Sequence, residues 1–595
     1  MREYTSPVMV PADPKANLTD AIVSAAMATP NRVAIRRQLA GAWTDVSSAQ
    51  FRDQVVALAK GLVAAGIGPG DRIGLISRTR YEWTLTDYAI WFAGAVTVPI
   101  YETSSAEQVA WILSDSGAAG VVVETERHRA TVTGVRDRLP DLAHLWTIDD
   151  GMVADLVAAG AAVGDDQLEA RRQLLTADSV ATLIYTSGTT GRPKGCLLTH
   201  GNFVQLAANA RPLIADVLAD PDASTLLFLP LAHVFARFVQ VLTLTTGIQL
   251  GHTPDVKDLL GDLAVFRPTM LLAVPRVFEK IYNSAEAKAE AGGKGKIFAR
   301  AAQTAIAYSE AMDAGGAPLA LRLRHLLFDR LVYGKLRAAT GGRVRMSLSG
   351  GAPLGPRLGH FFRGIGITIY EGWGLTETTA PATVNTPAHQ RIGTVGRPLP
   401  GVGVRVADDG ELLVKGINVL LGYYQNPAAT AEALQDGWFR TGDLGEIDAD
   451  GFVRITGRKK EIIVTAGGKN VAPMVLEDRL RAHPLVSQCL VVGDRRPFIA
   501  CLVTLDPEML PTWLANSGRP PLEPAAAAAD ERVRAEVQRG VDFANELVSK
   551  AEAIKKFRIL GVDFSEQAGH LTPKLSIKRH VVMKEFADDV EALYR

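Results

Sequence analysis

The sequence predicts an α/β protein with a large N-terminal domain of parallel sheets and helices, which includes a small β-rich portion, and an α+β C-terminal domain. Apolar strands alternate with helical segments up to about residue 393, short strands between Gly and Asp turns follow, and a mixed pattern begins near Lys460. Strand–helix alternation favours parallel sheets covered by helices. We therefore predict an N-terminal domain over 1–457, of which 393–457 is β-rich, and a C-terminal domain over 458–595.

The predicted parallel strands are short and almost wholly apolar, as buried strands are. They are GDRIGLIS (70–77), AVTVPIY (95–101), AAGVVVE (118–124), HLWTID (144–149), STLLFLP (224–230) and TMLLAVP (269–275). Helical spacing of apolar residues marks both flanks of 18–65, and the Ala-, Arg- and Lys-rich segment 284–336 is also predicted to be helical. The chain therefore alternates between the two element types over most of its length.

The last third of the chain has a different pattern. The β-rich portion contains the predicted strands VGVRVAD (402–408), GELLVKG (410–416) and GFVRITG (451–457). In the C-terminal domain LVSQCLVVGD (485–494) and PFIACLVTLD (497–506) are predicted strands, and 531–557 is predicted to be one long amphipathic helix. This combination is typical of a small α+β unit.

Composition excludes several classes of protein. The 595 residues contain 64 Lys+Arg and 64 Asp+Glu, so the net charge is zero and non-specific nucleic-acid binding is not expected. Cys196, Cys489 and Cys501 are too few and too widely spaced for a disulfide framework or a CxxC zinc site. Buried thiols in a reducing cytosol are the expectation, and hence a cytoplasmic protein.

Membrane insertion is not expected either. The N-terminus lacks the apolar run of a secretory signal, and the most apolar stretch, 226–250, is interrupted by His233 and Arg237. A spanning helix needs roughly 20 mostly apolar residues, so core packing is predicted for this stretch. Peripheral contact with the inner membrane stays open, and both a monomer and a dimer are compatible with the sequence.

The segment IYTSGTTGRPKGCLLTH (184–200) has the chemistry of a phosphate-binding loop. An apolar strand leads into a turn that contains Thr186, Ser187, Gly188, Thr189, Thr190, Gly191 and Lys194. Glycines let backbone N–H groups approach phosphate oxygens, hydroxyl groups donate further bonds, and lysine supplies a cation. The spacing is not that of a Walker A loop. A simple hairpin loop is the alternative interpretation.

Two further segments suit a nucleotide. In YEGWGLTET (370–378), Trp373 offers a face for stacking on adenine, and Glu377 offers the oxygen ligands that Mg²⁺ prefers. In GDLGEIDADGFVRITGR (442–458), Asp443 accepts bonds from ribose hydroxyls and Arg458 supplies a fork of donors. An ordinary buried tryptophan, a turn aspartate and a surface arginine are the alternative interpretations.

Taken together, these segments resemble the adenylate-forming superfamily, which contains acyl-CoA synthetases, peptide-synthetase adenylation domains and luciferases. TSGTTGRPKG is similar to its phosphate loop. Its other motifs follow in order as PLAHVFAR (230–237), SGGAPL (349–354), YEGWGLTET, GWFRTGDLGEIDADGFVRITGRKKEIIVTAGGKNVAP (437–473) and LTPKLSIKR (571–579). The pattern looks most like that of bacterial long-chain fatty-acyl-CoA synthetases.

The resemblance implies an activity and its substrates. ATP and Mg²⁺ would activate a fatty acid as an acyl-adenylate, and coenzyme A would then accept the acyl group. Glu377 and Thr186 would be the magnesium ligands, and Thr376 would contact phosphate. Nucleotide contacts are also implied for Gly351, Ala352, Trp373, Gly374, Asp443 and Arg458.

Other roles follow from the same resemblance. His233 and Phe235 would lie near the substrate carboxylate, and the apolar VQVLTLTTG that follows suits either an acyl tunnel or a core helix. Lys460 would be the hinge about which a mobile C-terminal domain rotates between the two half-reactions. Gly467 and Gly468 would then flank the pantetheine tunnel.

LTPKLSIKR departs from the family pattern at one position. The long-chain branch has a lysine where this chain has Ser576, and that lysine stabilises the negatively charged transition state of adenylation. Three interpretations stay open: an engineered replacement, a substitute role for Lys574, which points the same way in an extended segment, or naturally slow adenylation. Lys578 matches a separate basic position of the family.

Alternative functions are a fatty-acyl-AMP ligase that loads a carrier protein in trans, a luciferase-type oxygenase, and a non-enzymatic binding protein. Carrier-loading ligases of this kind usually have an insertion near the hinge, and the sequence has none between Arg440 and Lys460. The coenzyme A ligase is therefore the favoured function.

Overall fold

The computed structural model describes residues 1–39, 41–186, 192–255, 257–572 and 576–595. The strands of its first 400 residues are β1 (Glu3–Thr5), β2 (Val33–Leu39), β3 (Ala42–Ser47), β4 (Arg72–Ile76), β5 (Val96–Ile100), β6 (Gly120–Val123), β7 (His144–Thr147), β8 (Val180–Thr186), β9 (Lys194–Thr199), β10 (Ser224–Leu227), β11 (Gln249–His252), β12 (Met270–Ala273), β13 (Met346–Ser349), β14 (Thr368–Leu375), β15 (Ala380–Val384) and β16 (Arg397–Pro398). The later strands are β17 (Val402–Val406), β18 (Glu411–Gly416), β19 (Gly422–Tyr423), β20 (Leu434–Gln435), β21 (Trp438–Ile447), β22 (Val453–Arg458), β23 (Ile463–Val464), β24 (Asn470–Val471), β25 (Val486–Val492), β26 (Ile499–Leu505) and β27 (Ile554–Ile559).

The helices cover the faces of these sheets. The first twelve are α1 (Asp20–Ala28), α2 (Ser48–Ala64), α3 (Tyr81–Phe92), α4 (Ala106–Asp115), α5 (Glu126–Thr133), α6 (Met152–Ala159), α7 (Asp165–Arg172), α8 (His200–Ala210), α9 (Ala215–Leu218), α10 (Val234–Thr246), α11 (Leu259–Phe266) and α12 (Pro275–Ala291). The others are α13 (Gly295–Asp313), α14 (Leu319–Phe328), α15 (Gly334–Ala339), α16 (Pro356–Gly364), α17 (Pro427–Ala433), α18 (Pro473–Arg481), α19 (Met509–Asn516), α20 (Pro524–Ala528), α21 (Glu531–Asn545), α22 (Arg579–Glu585) and α23 (Ala587–Tyr594).

Two large sheets form the body of the N-terminal domain. One has the strand order β19-β9-β8-β5-β4-β6-β7, in which β8, β5, β4, β6 and β7 are parallel. The other has the order β16-β15-β14-β13-β12-β10-β11-β2-β3, with a parallel run from β14 to β2. The six apolar strands predicted from the sequence all lie in these runs, so the α/β prediction is confirmed.

A third sheet, with the order β1-β17-β18-β21-β20 and β22 on β21, contains the predicted β-rich portion. Its edge strand comes from the start of the chain, because Glu3 pairs with Arg405 and Thr5 with Gly403. The sequence did not predict β1, since three residues with a polar neighbourhood carry no periodic signal. β1 forms because it pairs with β17, which lies about 400 residues away in the chain.

The smaller C-terminal domain is built around β25, β26 and β27. Our prediction of one helix over 531–557 is wrong, because α21 ends at Asn545 and Ile554–Ile559 forms β27, parallel to β26. The side chain of Asn545 bonds both the N–H and the carbonyl of Ile554, at 2.8 and 3.0 Å. Apolar residues three positions apart are compatible with either a helix or a twisted strand. Here the segment pairs with the open edge of β26 and therefore forms a strand.

The apolar stretch 226–250 packs inside the large domain, as predicted. It forms β10, α10 and the start of β11, and the side chains of α10 from Ala236 to Leu244 are buried. Among the described residues, none of the helices combines the length and the apolar character that crossing a membrane requires. Cys196, Cys489 and Cys501 are buried and unpaired.

Candidate active site

The predicted phosphate loop joins two paired strands. Thr186, the last residue of β8, lies opposite Lys194, the first residue of β9. The predicted contacts Ser187, Gly188, Thr189, Thr190 and Gly191 lie outside the described residues. On the exit side, Trp111 Nε1–H donates to the carbonyl of Pro193 at 2.9 Å, and the Arg192 guanidinium lies 4.6 Å from the Trp111 ring centroid. The end of the loop is thus anchored on α4.

Three predicted residues come together around two that the sequence did not predict, Tyr423 and Cys196. The Tyr423 hydroxyl donates to Glu377 Oε1 at 3.1 Å, and Lys194 Nζ lies 5.0 Å from the Tyr423 ring centroid. Thr186 Oγ1 lies 3.9 Å from Cys196 Sγ. Burial, and then the charge of Glu377, raise the pKa of Cys196. We call these five residues the phosphate-side cluster.

A second group joins Trp373, Asp443 and Arg458. The indole Nε1–H of Trp373 donates to Asp443 Oδ2 at 2.7 Å, and Arg458 Nε lies 3.2 Å from Asp443 Oδ1. Asp443 and Arg458 are direct partners in the β21–β22 ladder, which explains their meeting across fifteen residues of sequence. Trp373 and Asp443 are buried and Arg458 is exposed, so the carboxylate opens toward solvent on one side. We call these three residues the ribose-side cluster.

A tight turn connects the two clusters. A Cβ at Gly374 would lie 1.7 Å from the carbonyl oxygen of Ala380, so only glycine fits where β14 meets β15. The 3₁₀ turn Thr376–Thr378 follows at once and carries Thr376 and Glu377. The distance along the chain from Trp373 to Glu377 is four residues. The predicted adenine, phosphate and magnesium contacts therefore lie on one short segment.

His233 and Phe235 lie at the N-terminus of α10. His233 Nδ1 accepts a hydrogen bond from the Phe235 N–H at 3.1 Å and so caps the helix. A Cβ on Gly350 would lie 3.2 Å from the Phe235 ring, which places that ring against the SGGAPL loop. Gly351, in the left-handed region at φ +82°, and Ala352 are exposed on this loop. The structure thus brings Phe235 to the loop that carries the predicted nucleotide contacts Gly351 and Ala352, and His233 lies two residues before it.

Glu371, which the sequence did not predict, supports the same loop. Its Oε1 accepts the Leu354 N–H at 2.9 Å, and burial raises the pKa of Glu371 to about 7, helped by Asp478 of the C-terminal domain. Burial also raises the pKa of Asp478 to about 7, against the opposing charge of Arg481. Burial thus raises the pKa of one carboxyl group in each domain to about 7.

Beneath the site, α10 is fastened to α3 by a wholly buried ion pair. The Arg237 guanidinium grips both oxygens of Asp87, with Nε 3.0 Å from Oδ2 and Nη2 closer still to Oδ1. Thr97 Oγ1 donates to the same carboxylate at 2.7 Å. Burial raises the pKa of Asp87, and the guanidinium opposes that rise. The sequence signalled Arg237 only as a charge that interrupts an apolar stretch.

The predicted residues around the hinge are more exposed. Lys460 lies in the 3₁₀ turn Lys459–Glu461, where Lys459 Nζ bonds Asp409 and Glu411 of the large domain, at 2.6 and 3.1 Å. Gly467 and Gly468 form an exposed turn between β23 and β24. No contact between described residues joins this turn to the phosphate-side or ribose-side cluster.

Ser576 lies in a narrow loop of the C-terminal domain, and Lys574 lies outside the described residues. The Ser576 N–H donates to Thr572 Oγ1 at 3.1 Å, and its carbonyl accepts the Thr572 N–H at 2.8 Å. Nearby, burial raises the pKa of Glu566, and a hydrogen bond from Thr103 opposes that rise. Thr103 follows β5, the parallel neighbour of β8. The segment of the C-terminal domain that precedes Ser576 thus comes close to the end of β5 through Glu566.

Glu377 suits a magnesium site that the nucleotide phosphates complete, and not a site that protein ligands close on all sides. In the parts of the chain that the structure describes, no three His, Cys, Asp or Glu side chains converge on one point. Mg²⁺ in nucleotide sites is usually held by one or two carboxylates together with the phosphates. The half-buried carboxylate of Glu377, in the same cluster as Lys194 and Thr186, has this character.

Comparison with known proteins decides the family. The family profile described as "AMP-binding enzyme" matches residues 23–424, and "AMP-binding enzyme C-terminal domain" matches residues 460–595. The chain belongs to the AMP-binding enzyme family. The first profile covers the phosphate-side cluster and Trp373, and the second covers Ser576, whereas Asp443 and Arg458 lie between the two.

This AMP-binding enzyme has relatives that match its full length. It is 51% identical over 598 residues to the long-chain-fatty-acid–CoA ligase FadD15 of Mycobacterium bovis, covering 100% of both chains. It is 30% identical to the long-chain-fatty-acid–CoA ligase ACSBG2 of Xenopus laevis, covering 95% of this chain and 82% of the other. Its fold matches ATP-bound MatB of Rhodopseudomonas palustris with a TM-score of 0.70 at 25% identity, covering 97% of this chain and 99% of that one.

Proposed function

We propose that this AMP-binding enzyme is an ATP-dependent long-chain-fatty-acid–CoA ligase. A carboxylate oxygen of the fatty acid attacks the α-phosphorus of ATP, which forms the acyl-adenylate and releases pyrophosphate. The thiolate of coenzyme A then attacks the acyl carbonyl carbon, which forms the thioester and releases AMP. The observation that carries the proposal is the connection of the phosphate-side cluster to the ribose-side cluster through the short segment from Trp373 to Glu377.

The large domain supplies the binding groups in this proposal. Lys194 and the loop that follows Thr186 neutralise the phosphates, because a lysine cation and backbone donors suit oxyanions. Asp443 keeps acceptor capacity beyond its bonds to Trp373 and Arg458, which suits ribose hydroxyls. The Trp373 N–H bond to Asp443 fixes the plane of the indole, whose face would then stack on adenine.

Mg²⁺, held by Glu377 and Thr186 together with the phosphates, would neutralise charge on the leaving pyrophosphate. The protein's own part is to hold Glu377 in place through the Tyr423 hydroxyl. His233 and Phe235 would orient the fatty-acid carboxylate. Lys460, Gly467 and Gly468 act in the second half-reaction, when the C-terminal domain turns about a hinge near the domain boundary at 457–458 and the glycine turn flanks the pantetheine arm.

The acyl chain is proposed to lie along α10. This helix starts at the substrate contacts His233 and Phe235, spans about 20 Å, and ends at a cavity of about 320 Å³ lined by Ile22, Phe51, Leu244 and Ile248 among others. Replacing Leu244 with Trp would narrow the cavity. The expected result is loss of activity on the longest fatty acids with retention on shorter ones, measured as a chain-length profile.

The central experiment supplies ATP, Mg²⁺, oleate and coenzyme A and measures AMP, pyrophosphate and oleoyl-CoA. We expect all three products in equal amounts. Glu377→Gln should lower the rate roughly 100-fold or more, as loss of one transition-state contact does. The matched control is Glu126→Gln, an exposed carboxylate on α5.

One outcome would redirect the proposal, and two would refute it. Oleoyl-AMP that is not transferred to coenzyme A would favour the carrier-loading ligase instead. No oleate-dependent consumption of ATP, or a Glu377→Gln variant as active as the control, would refute the ligase. A cytoplasmic location is part of the proposal, and it is supported by three buried thiols without a disulfide among them.

A further inference from the structure

The helical block α12–α15 carries a row of exposed leucines that the proposed reaction does not use. Leu319, Leu323, Leu326 and Leu327 of α14, with Leu331 just after it, are exposed to between 49% and 73%. Contiguous exposed apolar side chains on a soluble protein mark interaction surfaces, whereas scattered single ones do not. We call these five residues the leucine face.

The opposite side of α14 is packed against the protein. His325 stacks on Tyr308 of α13 at 3.9 Å between ring centroids and bonds the carbonyl of Gly364 at 2.6 Å. Phe328 is buried beside Tyr333. With about 100° of rotation per residue, Leu319, Leu323 and Leu326 point away from His325 and Phe328. The leucine face therefore looks directly outward.

Cations border the leucine face on both sides. On the same helical projection, Arg322 and Arg324 lie roughly a quarter turn to either side of the leucines. Arg330 and Lys335 follow, and α14 itself has no acidic residue. Asp329, the residue that follows α14 in the chain, is paired with Arg337 at 2.7 Å. Among the described residues, Arg324, Arg330 and Lys335 have no ion-pair partner.

We propose that α14 is a membrane-docking helix that lies flat on an anionic lipid bilayer, with the leucine face among the acyl chains and the flanking cations at the headgroups. Apolar residues on one stripe with Arg and Lys beside it are the pattern of interfacial helices. Long arginine stems reach from the apolar layer to the headgroups. The bilayer surface supplies the negative charge that the protein itself does not place here.

A second copy of this chain is a poorer occupant. A symmetric dimer through α14 would place the same surface on both partners. Arg322, Arg324 and Arg330 of each copy would then face the like charges of the other. An anionic lipid surface meets no such repulsion.

The test is co-sedimentation of the full chain with vesicles of equal parts phosphatidylcholine and phosphatidylglycerol. The wild type should bind, and added salt should weaken binding because the cations are screened. The double variant L323E/L326E should reduce the bound fraction roughly tenfold or more, since it puts anions on an anionic surface. The matched control is L174E, a leucine that is 66% exposed elsewhere on the large domain.

A second measurement locates the contact. The three native thiols are buried, so Leu326→Cys offers a single exposed site for a polarity-sensitive dye, and Leu174→Cys offers its control. A blue shift with vesicles at position 326 only supports the proposal. Equal binding by L323E/L326E and the wild type, no binding to anionic vesicles, or a lipid-independent dimer that the double variant abolishes would overturn it. None of these readouts requires catalysis, so they stand apart from the proposed reaction.

Discussion

The large domain and the small domain contribute to the candidate site in different ways. On the large-domain side, Asp87 and Arg237 are paired in the core, and Asp443 bonds Trp373 directly. On the small-domain side, Ser576 lies in a narrow loop and Gly467 and Gly468 lie in an exposed turn. The large-domain groups are held by one another before any ligand binds.

The contacts between the domains are of the kind that separate easily. Helix α12 meets the segment that leads into α19 through the ion pairs Arg276–Asp506 at 2.6 Å and Lys280–Glu508 at 3.0 Å. The Glu371 and Asp478 carboxyl groups, one in each domain, both have a pKa that burial raises to about 7. The preorganised binding groups of the large domain are thus combined with a small domain that polar contacts hold in place. This suits an enzyme whose two half-reactions need two arrangements of the domains.

Breaking the core pair should have the largest effect. Asp87→Ala leaves Arg237 buried without a counter-charge, which costs about 3–5 kcal/mol. The measurement is the urea midpoint of the large-domain transition. Asp408→Ala is the control, because its pair with Arg2 is exposed and should contribute less than about 1 kcal/mol. Similar urea midpoints for the two variants would contradict the prediction that the Asp87–Arg237 pair stabilises the large domain.

Glu371→Gln should change how stability depends on pH. The folded pKa of Glu371 is about 7, against an ordinary value of 4.5, so the folded state keeps a proton that the unfolded state loses. Stability from this group is full below the ordinary pKa and is lost as the pH rises through 7. The free energy of unfolding of the variant, relative to that of the wild type, should therefore rise by on the order of 2 kcal/mol between about pH 5 and about pH 8.

Thermal unfolding at those two pH values measures this effect, with Glu126→Gln as the exposed control. Asp478 still titrates in the variant, so the remaining pH dependence reports its share. Parallel pH profiles for Glu371→Gln and the wild type would show that this carboxyl group is ionised in the folded protein.

Placing a cation in the small-domain loop should speed the first half-reaction. Ser576→Lys should raise pyrophosphate exchange roughly tenfold or more, because a positioned cation stabilises the charge that develops at the α-phosphorus. Ser576→Gln controls for side-chain length without charge. An unchanged rate would count against the alignment of LTPKLSIKR with the family pattern, and a loss of rate in Lys574→Ala would assign the role to Lys574.

Loosening the contact between the domains should have the smallest effect on stability. Arg276→Ala should cost about 0.2–1 kcal/mol, because Asp506 still accepts the N–H groups of Glu508 and Met509. The ratio of pyrophosphate exchange to thioester formation from added acyl-adenylate should shift. Arg495→Ala, an exposed arginine of the small domain, is the control. An unchanged ratio would show that this contact has no part in the proposed domain rotation.

Much of the fold could be predicted because its strands are buried on both faces. Strands such as 70–77 and 118–124 are continuous apolar runs, which local sequence displays. The helix predicted over 531–557 failed after Asn545, because Ile554 and Phe557 fit two periodicities and only pairing with β26 distinguishes them. Strand β1 was missed for the same reason, since its partner lies far along the chain.

The sequence by itself determined which functional groups are available to the site: a glycine-rich loop ending at Lys194, a carboxylate at Glu377, and Asp443 ahead of Arg458. These signals are local, because each motif needs particular residue types within a few positions. Only the tertiary structure decided that Tyr423 holds Glu377, that Trp373 bonds Asp443, and that burial raises the pKa of Glu371 to about 7. Burial and distant partners set these properties, and no local window of sequence contains either.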